Sequence, residues 1–176
     1  MRSDKTRGFA LIDLIFVVGI IGLLCGIALP RLLAVRQSAG AASAVGSMRA
    51  INSAELTFAL TCGSGFYAPK LTTLGIPPNG SNAPFLSPNL TVSDTPIKSG
   101  YTVQLTGTPF AGAPPSCNGL GVGESAQAFK AGADPTEPTN VRFFSTNASG
   151  TIYEDVTSLY ANMPELGAPG QGHVFR

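Results

Sequence analysis

The chain has 176 residues, with 11 Lys and Arg, 10 Asp and Glu and one His, a size for one domain or one domain with an appendage. A net charge of +1 argues against a strongly basic nucleic-acid binder, and 44% hydrophobic residues argue against a wholly disordered chain. With no Trp, a single His and three Cys, a dense metal or catalytic cluster has few residues to draw on, and no cofactor is expected.

The first eight residues, MRSDKTRG, set Arg2, Lys5 and Arg7 against Asp4. Positive residues ahead of an apolar run hold that end in the cytoplasm. The run follows from Phe9 to Leu29, 21 residues with Asp13 as the one charge. At roughly 1.5 Å per residue this gives about 32 Å of helix, enough for a hydrocarbon core of roughly 30 Å. A secretory signal peptide has a shorter apolar region and then a small-residue cleavage site. The run therefore reads as a membrane-spanning helix rather than a buried core helix, with the remainder of the chain outside. Asp13 is its anomaly: a carboxylate in a spanning helix costs about 2.5–3.5 kcal/mol at the centre and less near an end.

Gly19, Gly22 and Gly26 set small residues along the helix, and Gly22 to Gly26 is a GxxxG spacing that lets helices approach closely in lipid. Pro30 removes one backbone bond, to the Gly26 carbonyl, and is expected to kink or loosen the rod there. That makes Gly22 to Pro30 a candidate for local melting. Cys25, inside the membrane run, is expected to be a free, buried thiol. The helical pattern then persists to about Leu60, with Arg31, Arg36, Arg49 and Glu55 punctuating it and Met48, Ile51, Ala54 and Phe58 at core-facing spacing. A helix from 9 to about 60 is long for a small globule and natural for a filament spine.

Thirteen of the 14 prolines lie at or beyond Pro69. Cys62 and Cys117 both fall in the exported part, where an even count suggests a disulfide. Closing a loop of about 55 residues contributes about 4 kcal/mol in the chain-entropy model. Zinc held by two isolated cysteines is the poorer alternative, since a structural site needs four ligands. Residues 63–99 are rich in turn formers. Strand candidates are Tyr101–Thr106, Ser125–Ala131, Val141–Ser145 and Thr151–Tyr153, the last two flanking a hairpin turn, with connectors at 107–123 and 132–140. A mobile tail is expected from Pro164 to Arg176. The fold class is α+β: a long N-terminal helix, its lower half membrane-spanning, with a small antiparallel sheet packed on its upper half.

Catalytic chemistry finds little footing. His173, the single His, sits in the expected tail, and Gly123-Glu-Ser125 lacks the second Gly of a nucleophile elbow. Asp134, Glu137, Glu154 and Asp155 fit no calcium-loop spacing and read as solvated acids. Asn79-Gly-Ser81, Asn89-Leu-Thr91 and Asn147-Ala-Ser149 match the glycosylation sequon, but turn composition explains all three.

Gly8-Phe9 and the apolar stretch after it resemble the class III signal of type IV pilins and type II secretion pseudopilins. Residues 41–55 look like the helix continuation of a bacterial pilin subgroup, and 100–105 and 142–153 look like its sheet. The resemblance implies that a leader, residues 1–8, is removed by a prepilin peptidase between Gly8 and Phe9, and that the new amine of Phe9 is methylated. It implies a transmembrane and assembly helix over 9–30, a continuation over 31–60 and an extracytoplasmic head over 61–176. Gly22 and Pro30 stand where such pilins carry Gly and Pro, near where their filament helices melt. The family usually has Glu at the fifth mature position; here Asp13, one methylene shorter, is the expected partner of a neighbouring subunit's Phe9 amine. The expected partners are copies of the same chain in a helical filament, the prepilin peptidase, an assembly platform with separate ATPase motors, and the cytoplasmic membrane before assembly. No direct nucleic-acid binding is expected. The expected role is a pilus subunit, inner-membrane as precursor and then extracellular, without enzymatic activity. The alternative is a pseudopilin in a periplasmic pseudopilus, and a third reading is an enzyme or binding module on an uncleaved signal anchor.

Overall fold

The computed structural model describes residues 11–176. One helix, α1 (Leu11–Thr61), opens the described chain. Contacts divide the molecule into a first unit ending at Ser38 and a second from Ala39 to Arg176.

The first unit is α1 up to Ser38. Leu, Ile, Val and Phe lie all round it, with large exposed side chains at every turn from Leu11 to Val35. A helix that is apolar on every side has no solvent face to offer water. The backbone is helical on both sides of Pro30 and through it. The loss of one hydrogen bond, expected to loosen the rod, does not end the helix.

The second unit holds the hydrophobic core. In this part of α1 the buried hydrophobic positions are Ala41, Ala44, Val45, Met48, Ile51, Ala54, Phe58 and Ala59, the three-and-four spacing that puts residues on one helix face. The helix ends one residue past its expected limit, where Gly63 donates to Phe58 O at 2.8 Å and Gly65 to Ala59 O at 2.8 Å. A Cβ on Gly63 would lie 2.2 Å from Phe66 O and 2.7 Å from the Phe58 ring, so only Gly fits the exit.

Two short helices follow, α2 (Leu71–Leu74) and α3 (Pro88–Thr91), then strands β1 (Ile97–Lys98), β2 (Tyr101–Thr106), β3 (Lys130–Pro135), β4 (Phe143–Asn147), β5 (Ile152–Asp155) and β6 (His173–Val174). The sheet runs β1 to β6 in sequence order, every pair antiparallel. In β2 burial alternates, with Tyr101, Val103 and Leu105 inward. They join Ala131, Ala133 and Phe144 and the α1 stripe in one core. Side chains stitch α1 to the sheet as well: Asn52 Nδ2 donates to Thr146 Oγ1 at 2.9 Å. The architecture is α+β, as expected, and Cys62 and Cys117 form a disulfide.

Several boundaries differ from expectation. The strand expected at Ser125–Ala131 runs from Lys130 to Pro135 instead, sharing only Lys130 and Ala131 with the expectation and extending into the expected connector. Ala126 makes isolated bridges to Tyr67 and Pro109, while Gly132 and Ala133, weak strand formers, are held by ladders on both sides. The strand expected at Val141–Ser145 begins at Phe143 and ends at Asn147, and the one expected at Thr151–Tyr153 runs from Ile152 to Asp155. Residues 63–99 are not all loop, since α2, α3 and β1 lie there. Nor is the segment after Pro164 a free tail: β6 pairs with β5, Phe175 donates to Ile152 O, and the Phe175 ring meets Phe144 edge-on at 5.8 Å.

Candidate assembly segment

The first turn of α1 carries Asp13. It is exposed, and so are Leu11, Ile12, Leu14, Ile15, Phe16 and Val17 around it. Among the described residues Asp13 has no hydrogen-bond or ion-pair partner. It is the one ionisable group with a formal charge from Leu11 to Leu29, and the next are Arg31 and Arg36, also exposed. Among the described residues α1 is the one helix long and apolar enough to cross a membrane, by length and composition. A carboxylate so placed is costly in hydrocarbon unless a cation meets it.

Gly8 and Phe9, the expected cleavage and methylation positions, lie outside the described residues. A Cβ on Gly19, Gly22 or Gly26 would meet no atom within 4 Å. Among the described residues no packing contact demands glycine at those three positions, unlike Gly63. Cys25 is free, as expected, but exposed rather than buried.

The second unit places the remaining candidates. The Cys62–Cys117 disulfide joins the residue after α1 to the loop ahead of β3, with the Cα atoms 4.8 Å apart. Cys117 N–H donates to Cys62 O beside it at 3.1 Å. His173 on β6 shares a hollow with Arg142, Glu154, Val174, Phe175 and Arg176, a lining with no Ser, Thr or Cys to act as nucleophile. Within it the Arg142 guanidinium bonds the Glu154 carboxylate, which raises the Arg142 pKa. Among the described residues no three His, Cys, Asp or Glu side chains gather as a metal site. Asp134 instead accepts from Ser158 Oγ at 2.6 Å, and burial raises its carboxyl.

One buried acid escaped sequence reasoning. Glu55 is fully buried in the core, where Oε2 accepts the Ala68 N–H at 2.8 Å and Oε1 has no partner. Burial holds its pKa well above the ordinary carboxylate range, and the Ala68 bond opposes that only in part. Its register gave the signal: four residues after Ile51 and three before Phe58, it falls on the buried stripe. Of the three sequons, Asn79 and Asn89 are exposed, whereas Asn147 is buried with its amide donating to Pro164 O and Gly167 O.

No protein-family model matches this chain, and no curated protein or solved structure matches it significantly.

Proposed function

We propose that this chain is a structural subunit of a type IV pilus, trimmed after Gly8 and polymerised through its N-terminal helix. The observation that carries the reading is the first unit of α1: an exposed apolar helix, interrupted near its start by a single carboxylate. Such a surface is suited first to lipid and then to copies of itself.

The chemistry follows from the residues. Cleavage removes three positive charges and one negative, taking the formal net charge from +1 to −1. It strips the cationic end that holds the helix at the cytoplasmic face and frees an amine at Phe9. Asp13 lies four residues further on, about one helical turn. In an apolar environment its carboxylate and the Phe9 amine of an adjacent subunit offset each other's desolvation through a charge-assisted hydrogen bond. Gly19, Gly22 and Gly26 permit close approach of neighbouring helices. Energy for extraction from the bilayer would come from separate ATPase motors.

The test is mass spectrometry of the sheared surface fraction, reading this protein's N-terminus. A methylated Phe9 terminus in abundant filaments is the expected result. The processed form confined to membranes would point to a periplasmic pseudopilus instead. An intact Met1–Gly8 leader, with the leader peptidase present, would overturn the reading in favour of an anchored enzyme or binding module.

A further inference from the structure

The chain contains two Asn-Gly pairs, Asn79-Gly80 and Asn118-Gly119, and the fold treats them oppositely. In such a pair the backbone nitrogen of the glycine can attack the asparagine side-chain carbonyl, because no glycine side chain obstructs the approach. The reaction needs a free carboxamide, a free glycine N–H and room to rotate.

Asn118 offers neither a free carboxamide nor room to rotate. It is 6% exposed. Its Nδ2 donates to Thr73 O at 2.9 Å and to Ile76 O at 3.3 Å, and its Oδ1 accepts from Ser116 Oγ at 2.6 Å. The attacking nitrogen makes a long contact of its own, Gly119 N–H to Ser116 O at 3.5 Å. Asn79 is the reverse case. Pro78 O accepts the Ser81 N–H at 3.0 Å, so Asn79 and Gly80 are the two central residues of a turn. Asn79 is exposed, and among the described residues neither its carboxamide nor the Gly80 N–H makes a hydrogen bond. Gly80 has φ +86°, and a Cβ there would meet nothing within 4 Å. Rotation of the Asn79 side chain towards the Gly80 nitrogen disturbs little besides the Pro78–Ser81 bond and a long contact from Asn79 N to Cys117 O, 3.4 Å.

We propose that Asn79 is a site of spontaneous deamidation on the surface of the second unit, and that the fold protects Asn118 from the same reaction. The Gly80 nitrogen gives up its proton and bonds to Asn79 Cγ; the Cγ–NH2 bond breaks and ammonia leaves, closing a succinimide ring. Water then opens the ring at either carbonyl, leaving aspartate or isoaspartate at position 79. No redox partner is needed, and water is the only co-reactant. The product adds one negative charge at an exposed turn and, as isoaspartate, one extra backbone methylene. The proposal is independent of the filament reading.

The experiment incubates the full-length protein in mildly alkaline buffer and follows both Asn-Gly peptides by mass spectrometry, with isoaspartate distinguished from aspartate. Reaction at Asn118 must wait for local opening of its contacts, so Asn79 is expected to convert about tenfold faster or more in the folded chain. In urea, with the disulfide reduced, the two sites are expected to convert at similar rates. The Asn79→Gln variant is expected to lose the early modification while Asn118 stays intact. Equal folded-state rates, a stable Asn79 in a folded chain whose unfolded form reacts, or a glycan found on Asn79 would each overturn the proposal.

Discussion

The two parts of α1 form one continuous helix from different residues: Leu, Ile, Val and Phe dominate the first, Ala and Ser the second. From Leu11 to Ser38 the side chains are exposed on every face. From Ala39 to Thr61 one stripe is buried, with Met48, Ile51 and Phe58 fully enclosed, and the other faces are left to solvent. Glycine marks the same contrast. Gly40 has Ser99 O 2.8 Å from where a Cβ would be, whereas Gly19, Gly22 and Gly26 have open space. The part of the helix packed on its own chain shows periodic burial, and the part that is apolar all round shows no such period. Continuous helical hydrogen bonding hides this change of purpose, and the burial pattern reveals it.

The contrast can be broken most sharply at Asp13. Asp13→Ala is expected to abolish filaments or reduce sheared filament yield severely while leaving the second unit folded, and Asp13→Glu is expected to retain assembly. Normal yield from the alanine variant would remove the carboxylate from the assembly account. Next come matched truncations in the two parts of the helix. Phe58→Ala should destabilise the second unit by about 3–5 kcal/mol in urea titrations of the solubilised full chain, whereas Leu23→Ala should leave that transition unchanged. Equal losses would mean that the first unit also contributes to the stability of the second. Loss of the Cys62–Cys117 disulfide by paired substitution to serine should cost about 2–5 kcal/mol, read as a lower denaturation midpoint, with α1 helicity in detergent preserved.

The smallest effect concerns pH. Glu55 binds its proton more tightly in the folded protein than in the unfolded chain. Its contribution to stability is therefore fully present below the ordinary carboxylate pKa and is lost as pH rises through the raised folded value. Stability should fall across that window in the wild type and fall less in Glu55→Gln, which keeps the shape without the charge. Parallel profiles for the two proteins would show that Glu55 does not set the dependence.

What the sequence disclosed tracks how local each feature is. The apolar run, its single acid and the core stripe through Met48, Ile51, Ala54 and Phe58 are periodic signals read along one helix. β2 is an alternating strand and lies at its expected limits. The cysteine pair was readable from compartment and count. β3 and β6 were not readable, because neither has strand-like composition and both owe their form to neighbours distant in sequence. Glu55 was passed over, although its helical register places it on the buried stripe. At the candidate assembly segment, Asp13 and the glycines stand out in the sequence and stay without partners among the described residues.

The disulfide also limits how far the molecule can be drawn out. Cys62 follows the last residue of α1, and 55 positions separate it from Cys117. If tension along α1 ever opened the second unit, against any attachment beyond Cys117, the bonded loop could not pay out. At roughly 3.3–3.6 Å per extended residue this withholds about 190 Å of chain. The oxidised chain can therefore be drawn out less far than the reduced one.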